Sequence, residues 1–546
     1  MMRYHRRLLL FILAGLTVLS GCSGSEKGGR EDEMGTLVLG IQQEPEILNE
    51  AVSSMVSSIY VCNFIFSKFV KHNDRMELIP DLIREVPNVE NGGISSDYLT
   101  YTYHLREDAL WHDGKPVTAS DVKFTVNLMK NPDVNVGTRQ GWDVIESVET
   151  PDEHTVIFRL KRVYANFAGD CFYDESVLPE HLLAGYAGSG FMNAPYHQKP
   201  VGSGPFILQE WEHGSHMVLV ANESYYRDGP YLDRIIVRFI LDDNALLFQL
   251  ESGGIMGADN VPSGMLDLIS RIEGIRQYRT PALFLEHLDL NCSRFPLDDA
   301  RVRRAISASI DRKIISEKIY GNLWIPAYGD EHPASPYHTD IGKKMNMYNP
   351  ARAESLLTAA GWLDRNGDGI REKNGRKLTL SLSTTTGRSN RERTEVVLVE
   401  QLGRVGFDIR IKNYHPSVLF AGYDDRGVLT RGSYEMALYA FMAPPDPSTK
   451  ETSYSESFIP PEGQNYSHYR NPELTELLAA GSASVSFEER KILYNRIMKI
   501  LAEEMPVVPL LWITLVDAMP KNLLNYRPNP TQSQDTWNAA QWRLRK

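Results

Sequence analysis

Few residue patterns in this chain have the types and spacing for chemistry. Asp364-Arg365-Asn366-Gly367-Asp368-Gly369 sets oxygen-bearing side chains at alternate positions with a glycine sixth, as the first half of an EF-hand calcium loop does. The twelfth position, where a bidentate glutamate would close such a loop, is Gly375, and the flanking segments read as a helix followed by a strand. A solvated acidic turn is the better reading, so no metal ligand is assigned. Glu44, Asp446 and His287 are acid–base side chains that could meet in a cleft, but so could any three polar residues in a chain this long. There is no Gly-x-Ser-x-Gly elbow, no His-Glu-x-x-His helix, no Cys-x-x-Cys pair and no phosphate-cradling glycine loop. The 14 histidines are scattered, none four residues from another on an evident helix. The expectation is a binding protein, not an enzyme, with no cofactor.

A different chemistry is written at the N-terminus. Arg3, His5, Arg6 and Arg7 make a basic start, Leu8 to Leu19 an apolar run of 12 residues, and Ser20, Gly21 and Cys22 follow. A bilayer span needs ~20 apolar residues, so the run reads as an export signal. Leu19-Ser20-Gly21-Cys22 resembles the lipobox of bacterial lipoproteins, in which the cysteine thiol is alkylated by diacylglycerol and becomes the new N-terminus. Two or more acyl chains, at ~0.8 kcal/mol per buried methylene, would hold the protein at a membrane. An ordinary cleaved signal is the blander alternative, and Arg6-Arg7 alone is a weak sign of twin-arginine export. Polar, glycine-rich Ser23 to Glu33 reads as a flexible tether. Cys62, Cys171 and Cys292 remain: an exported protein permits at most one bond among them, and three small buried thiols are an equal alternative.

The elements that would position these residues are those of an ordered, mixed protein. At 546 residues, 42% hydrophobic and 23% charged, the chain has material for two or three packed domains. Its net charge of −12 is spread out and no basic run carries interleaved aromatics, so no nucleic-acid partner is expected. Strands are predicted at Thr36 to Ile41, Tyr101 to Leu105, Thr155 to Leu160, Met217 to Val220, Ile235 to Ile240 and Leu378 to Leu382. Capping patterns at Thr118/Asp121 and Ser486/Glu489 open helices, as does Asn349-Pro350, whose helix Gly361 closes. Apolar residues from Val302 to Ile315 recur at helical spacing across Asp299 to Tyr320, with Gly321 as the stop. The fold class is α/β, without an internal repeat.

Arg106-Glu107-Asp108-Ala109-Leu110-Trp111-His112-Asp113-Gly114-Lys115-Pro116-Val117-Thr118-Ala119-Ser120-Asp121-Val122 resembles, without a gap, the signature of bacterial extracellular solute-binding proteins of family 5, which serve oligopeptide and dipeptide importers. In it Asp113-Gly114 supplies a tight turn and Thr118 a helix cap, so its role is structural. Val201-Gly202-Ser203-Gly204-Pro205-Phe206 with Asn222 and Tyr225-Tyr226, Asp298 to Ile306 with Ile310-Asp311-Arg312, Asn349 to Gly361, and Tyr434 to Pro447 are similar to later blocks of the same family.

The resemblance implies a two-lobed, periplasmic-binding-protein-like α/β fold of class II, the large peptide-binder type, with an additional domain inserted in the first lobe. Carried over, residues 1–22 are the signal ending at the lipidated Cys22 and 23–34 the tether. Residues 35–70, 191–282 and 508–546 form lobe I, 71–190 the extra domain and 283–507 lobe II. It further implies a monomer, anchored on the periplasmic side or outer face of a membrane, that closes on a ligand and delivers it to the permease of an ABC importer. Peptide is the favoured ligand, held as an added strand. A nickel chelate, haem, an opine or a sugar, or a sensor or chaperone role, are the alternatives. Ligand-lining positions carried over are Glu44 and Pro45 in the first lobe and Tyr439, Phe441, Met442 and Asp446 in the second, with Trp512 suited to an apolar or ring-bearing ligand. The family's peptide binders place an aspartate for the peptide ammonium three residues before an acid-Pro pair; here the pair is Asp446-Pro447 and that position is Ala443. Asp446 or Glu44 takes the role, or the ligand has no free amine there; Asp446 is equally well read as a turn residue.

Overall fold

The structure, a computed structural model, describes residues 35–545 except Ser54, Asn135, Gly137, Thr138, Gln140, Asp174 and 532–534. Cys22, the export signal and the tether lie outside the described residues. Two long strands, Ile275–Leu290 and Val507–Pro520, pair antiparallel and run through the whole molecule. On one side of this pair the sheet continues through Gly257–Ala258, Thr36–Ile41, Arg234–Phe239, His216–Ala221 and Phe206–Glu212. On the other it continues through Met436–Met442, Thr379–Ser383 and Asp408–Ile411. Alternate stretches of each long strand pack into different cores: Val508, Leu510 and Leu511 lie with Leu288, Leu380 and Met436, whereas Val516 and Ala518 lie with Leu246 and Ile269. Their register breaks between Pro281 and Leu285, where the two bodies meet.

A separate antiparallel sheet, Thr100–His104, Thr155–Leu160 and Ile145–Glu149, packs under the helix Ala119–Lys130. Its Tyr101, Tyr103 and Phe158 share one continuous core with Leu37, Phe64 and Trp542. The Arg106-to-Val122 segment supports this junction. Asp121 accepts from the Thr118 backbone N–H at 2.9 Å, from Trp111 Nε1 at 3.3 Å and from the Glu180 N–H at 2.9 Å. His112 meets the Val201-to-Phe206 turn, its Nδ1 accepting from the Gly202 N–H at 3.2 Å and its Nε2 lying 3.1 Å from the Gly204 carbonyl.

The predicted strands and helices are present within a residue or two, including the capped helices Phe487–Glu504 and Pro350–Ala359. Asp299 to Tyr320 differs from one continuous helix. It forms Ala300–Ser309 and Arg312–Tyr320, because Asp311 turns its side chain to the N–H groups of Lys313 and Ile314 and starts a second helix. Cys62, Cys171 and Cys292 are all free thiols. The Asp364 carboxylate accepts from the N–H groups of Gly367 and Gly369 at 2.7 and 3.0 Å, closing a tight exposed turn.

Candidate functional site

Where the two bodies face each other there is a cavity of about 520 Å³. One wall is the helix Val56–Ile65, through Val56 and Ile59; the other is built on the strands Ile275–Leu290 and Met436–Met442. Side chains alternate across a strand, so His287 and Asp289 point the same way, as do Tyr439 and Phe441. Register places His287 opposite Tyr439 and Leu285 opposite Phe441, and the diagonal brings Asp289 within reach of Tyr439. Tyr439 Oη donates to Asp289 Oδ2, and His287 Nε2 lies 3.6 Å from Asp289 Oδ1. The His287 ring stands edge-on to Tyr439 and Phe441, with centroids 4.3 and 4.8 Å away. Burial, and then the Asp289 carboxylate beside it, push the Tyr439 phenol well above its ordinary pKa, so it remains a neutral donor.

The remaining charge in the cavity is paired. Lys450 Nζ lies 3.1 Å from Asp330 Oδ2 and 3.2 Å from Glu331 Oε2. Burial alone would lower the Lys450 pKa, but these two carboxylates outweigh it and hold the ammonium above its usual value. Asp289, by contrast, is buried at the cavity wall, and among the described residues its side-chain partners are the Tyr439 phenol and the His287 imidazole.

The strand Met436–Met442 has a second property. It pairs with Ile275–Leu290 along its whole length, but with Thr379–Ser383 only through Met436 and Ala437. Among the described residues, one edge from Tyr439 to Met442 therefore has no strand neighbour, and that stretch lines the cavity.

Of the residues singled out in the sequence, Tyr439, Phe441, Met442 and His287 line this cavity. Asp446 lines a smaller one of about 280 Å³, alongside His72 and Tyr173 of the opposite body. Its carboxylate is engaged: it accepts from the Ser448 N–H at 2.9 Å and from Arg490 Nη1 and Nη2 at 2.8 and 2.6 Å. Glu44 and Pro45 line neither cavity, and Glu44 accepts from Trp211 Nε1, the Gly214 N–H and the His213 ring. Trp512 is buried behind the wall with Leu285, Ala327 and Ala443. Sequence reasoning missed Asp289, Lys450, Asp330 and Glu331. Asp289 had a signal, two residues beyond His287 on a strand; the other three meet only through folding.

Residues 77–458 match the family described as "Bacterial extracellular solute-binding proteins, family 5 Middle". The chain belongs to this family. As a family 5 solute-binding protein it is 28% identical over 556 residues to the oligopeptide-binding protein AppA of Bacillus subtilis, spanning 99% of this chain and 100% of that protein. The structure of the Bacillus subtilis AppA in complex with a nonapeptide superposes with a TM-score of 0.81 at 27% identity, covering 94% of this chain and 99% of that one. NikZ from Campylobacter jejuni in complex with Ni(L-His) gives a TM-score of 0.80 at 25% identity, covering 93% and 99%. The two-lobed α/β architecture expected from the signature segments is the one these family 5 proteins share. No helix among the described residues is long and apolar enough to cross a membrane.

Proposed function

We propose that this family 5 protein captures peptides between its lobes and delivers them to the permease of an ABC importer, binding without turnover. The observation that carries the reading is the unpaired strand edge from Tyr439 to Met442 on the cavity wall, which offers main-chain groups to an extended peptide as an added strand. Varied side chains would occupy the rest of the cavity, with water between. The peptide ammonium goes to Asp289, whose carboxylate faces the cavity with no cationic side chain of its own except His287 when protonated. Tyr439, Phe441 and Met442 contact the ligand; Asp446, Glu44, Pro45 and Trp512 hold the walls. The nonapeptide complex of the related AppA supports the ligand class.

The lobes are assigned as 35–70, 191–282 and 508–546 against 283–507, with 71–190 inserted, acting as a monomer. Cys22 carries the lipid anchor, and Cys22→Ser moves the protein from the membrane fraction to the soluble one; retention on the membrane sinks this part of the reading.

Calorimetry with a library of free peptides, and with copies acetylated at the amine or methylated at one backbone amide, tests the site. Each modification should weaken binding by about tenfold or more, the loss of one charged or main-chain hydrogen bond, and Asp289→Asn should abolish the difference between free and acetylated peptides. If no peptide binds at high micromolar concentration while a ligand without peptide bonds is recovered from the purified protein, the reading fails.

A further inference from the structure

Asp259, Asp517 and Asp535 come from three stretches: the end of Gly257–Ala258, the long strand Val507–Pro520 and the C-terminal segment. An oxygen from each of the three carboxylates lies within 4.8 Å of the others. Asp517 is fully buried and Asp535 is 3% exposed, while Asp259 is half-buried. Among the described residues no lysine or arginine pairs with them. What surrounds them is hydrogen-bond donors: the Asn260 N–H at 2.9 Å from Asp517 Oδ1 and the Asn529 N–H at 2.5 Å from Asp535 Oδ1. Three carboxylates with no cation, removed from water and pressed together, repel one another strongly.

Tyr60 is a second and independent observation. Its side chain is 1% exposed, yet its hydroxyl has no hydrogen-bond partner among the described residues. Asp517 Oδ2, inside the cluster, is likewise buried without a hydrogen-bond partner among the described residues, and Thr536, next to Asp535, donates from Oγ1 to the Tyr60 carbonyl at 3.3 Å. Uncommitted buried oxygens of a phenol and a carboxylate, together with two further carboxylates, make an all-oxygen donor set.

We propose that Asp259, Asp517 and Asp535, with the Tyr60 hydroxyl at their side, form a calcium site in the first lobe. The donors are hard oxygens with no imidazole or thiolate, which selects calcium or magnesium over transition metals. Calcium–oxygen distances are about 2.4 Å, so two ligands of one ion stand at most about 4.8 Å apart, and the three carboxylates fit round a single centre. Magnesium sheds its water reluctantly and prefers sites with fewer protein carboxylates. The site is separate from the ligand cavity, which none of the three aspartates lines. It sits where the molecule needs a tie. Asp517 is on a strand that crosses between the lobes, and the loop after Asp259 reaches the second lobe, Ser263 Oγ lying 3.5 Å from Asn390 Nδ2. Calcium there would fasten the crossing strand to the C-terminal segment and fix one side of the hinge, whatever the ligand of the cavity is.

The test is calorimetric titration of the chelator-treated full chain with CaCl2, and separately with MgCl2, alongside thermal unfolding. A one-site calcium isotherm and a raised melting temperature are expected, at an affinity of about 10⁻³ M or tighter, the range of extracellular calcium modules. Asp259→Asn, at the most exposed of the three positions, should remove saturable binding. Tyr60→Phe should weaken it by about tenfold, as loss of a supporting group around a metal does. Asp364→Asn, in the acidic turn, should leave the isotherm as it was. The proposal is overturned if calcium gives no heat and no melting shift up to about 10 mM, well above that affinity range, if magnesium binds equally well, or if binding is lost in Asp364→Asn. If Asp259→Asn does not fold, an unchanged isotherm in Tyr60→Phe overturns it.

Discussion

Asp446 shows how little a residue's type says about what its charge is for. In the sequence it stands beside a proline in the segment that resembles the ligand wall, and its carboxylate is equally suited to an ammonium or to a turn. In the structure it caps the turn Pro447–Thr449 and forms a two-point pair with Arg490, which also reaches Ser448 Oγ at 2.9 Å. Both partners are largely buried, so removing one charge leaves the other uncompensated. Asp446→Asn is therefore expected to cost about 1–3 kcal/mol of stability, the range for leaving a buried polar group unsatisfied, while ligand affinity stays within about twofold, a free-energy change of under 0.5 kcal/mol. Chemical denaturation and calorimetry on the same variant separate the two; a large loss of affinity at unchanged stability would return Asp446 to the ligand. Asp289 is the opposite case. Its spacing of two from His287 is the one local hint, and only the strand register, which sets it beside Tyr439 at the cavity wall, gives that hint meaning.

The elements with family resemblance turn out to be those whose local geometry leaves no freedom. Gly204 donates its N–H to the Ile65 carbonyl at 2.8 Å, and a Cβ at this position would stand 2.6 Å from the Ile65 carbonyl carbon and 2.7 Å from its oxygen. Since the obstacle is backbone at the end of the helix Val56–Ile65, neither side can give way cheaply. Gly204→Ala should cost about 1–3 kcal/mol, the usual penalty for overpacking, seen as a lower denaturation midpoint; a neutral effect would show that this junction is soft. The Asp113-Gly114 turn, the Thr118 cap and the Asn349-Pro350 start were legible in sequence because each is a local solution to a local need. The split at Asp311 was not, because the second cap competes with a continuous apolar periodicity; in the structure Arg312, at the start of the second helix, also donates to the Pro509 carbonyl at 2.7 Å.

At the scale of the molecule, two long strands link bodies with separate cores, and their register slips between Pro281 and Leu285. The ladder between the two strands is interrupted there, and a ligand that touches both walls of the cavity shifts the population toward the closed arrangement. X-ray scattering with and without a bound peptide should show a smaller radius of gyration for the complex. Identical curves at saturating ligand would mean that capture leaves the lobes where they were.

By itself, the sequence determined the mixed α/β class, most strand and helix starts, and the family, because these depend on periodicity, caps and turns written within a few neighbouring residues. Of the seven positions it offered for a ligand wall, Tyr439, Phe441 and Met442 line the cavity. Only the tertiary structure decided which charges are free and which are paired. Arg490 and Asp446 are 44 residues apart, Lys450 and Asp330 120, and at the proposed calcium site Asn260, next to Asp259, meets Asp517 across 257 residues. A carboxylate's partner is chosen by whichever donor the packed chain brings within 3 Å or so of it, and no local pattern along the chain records that distance.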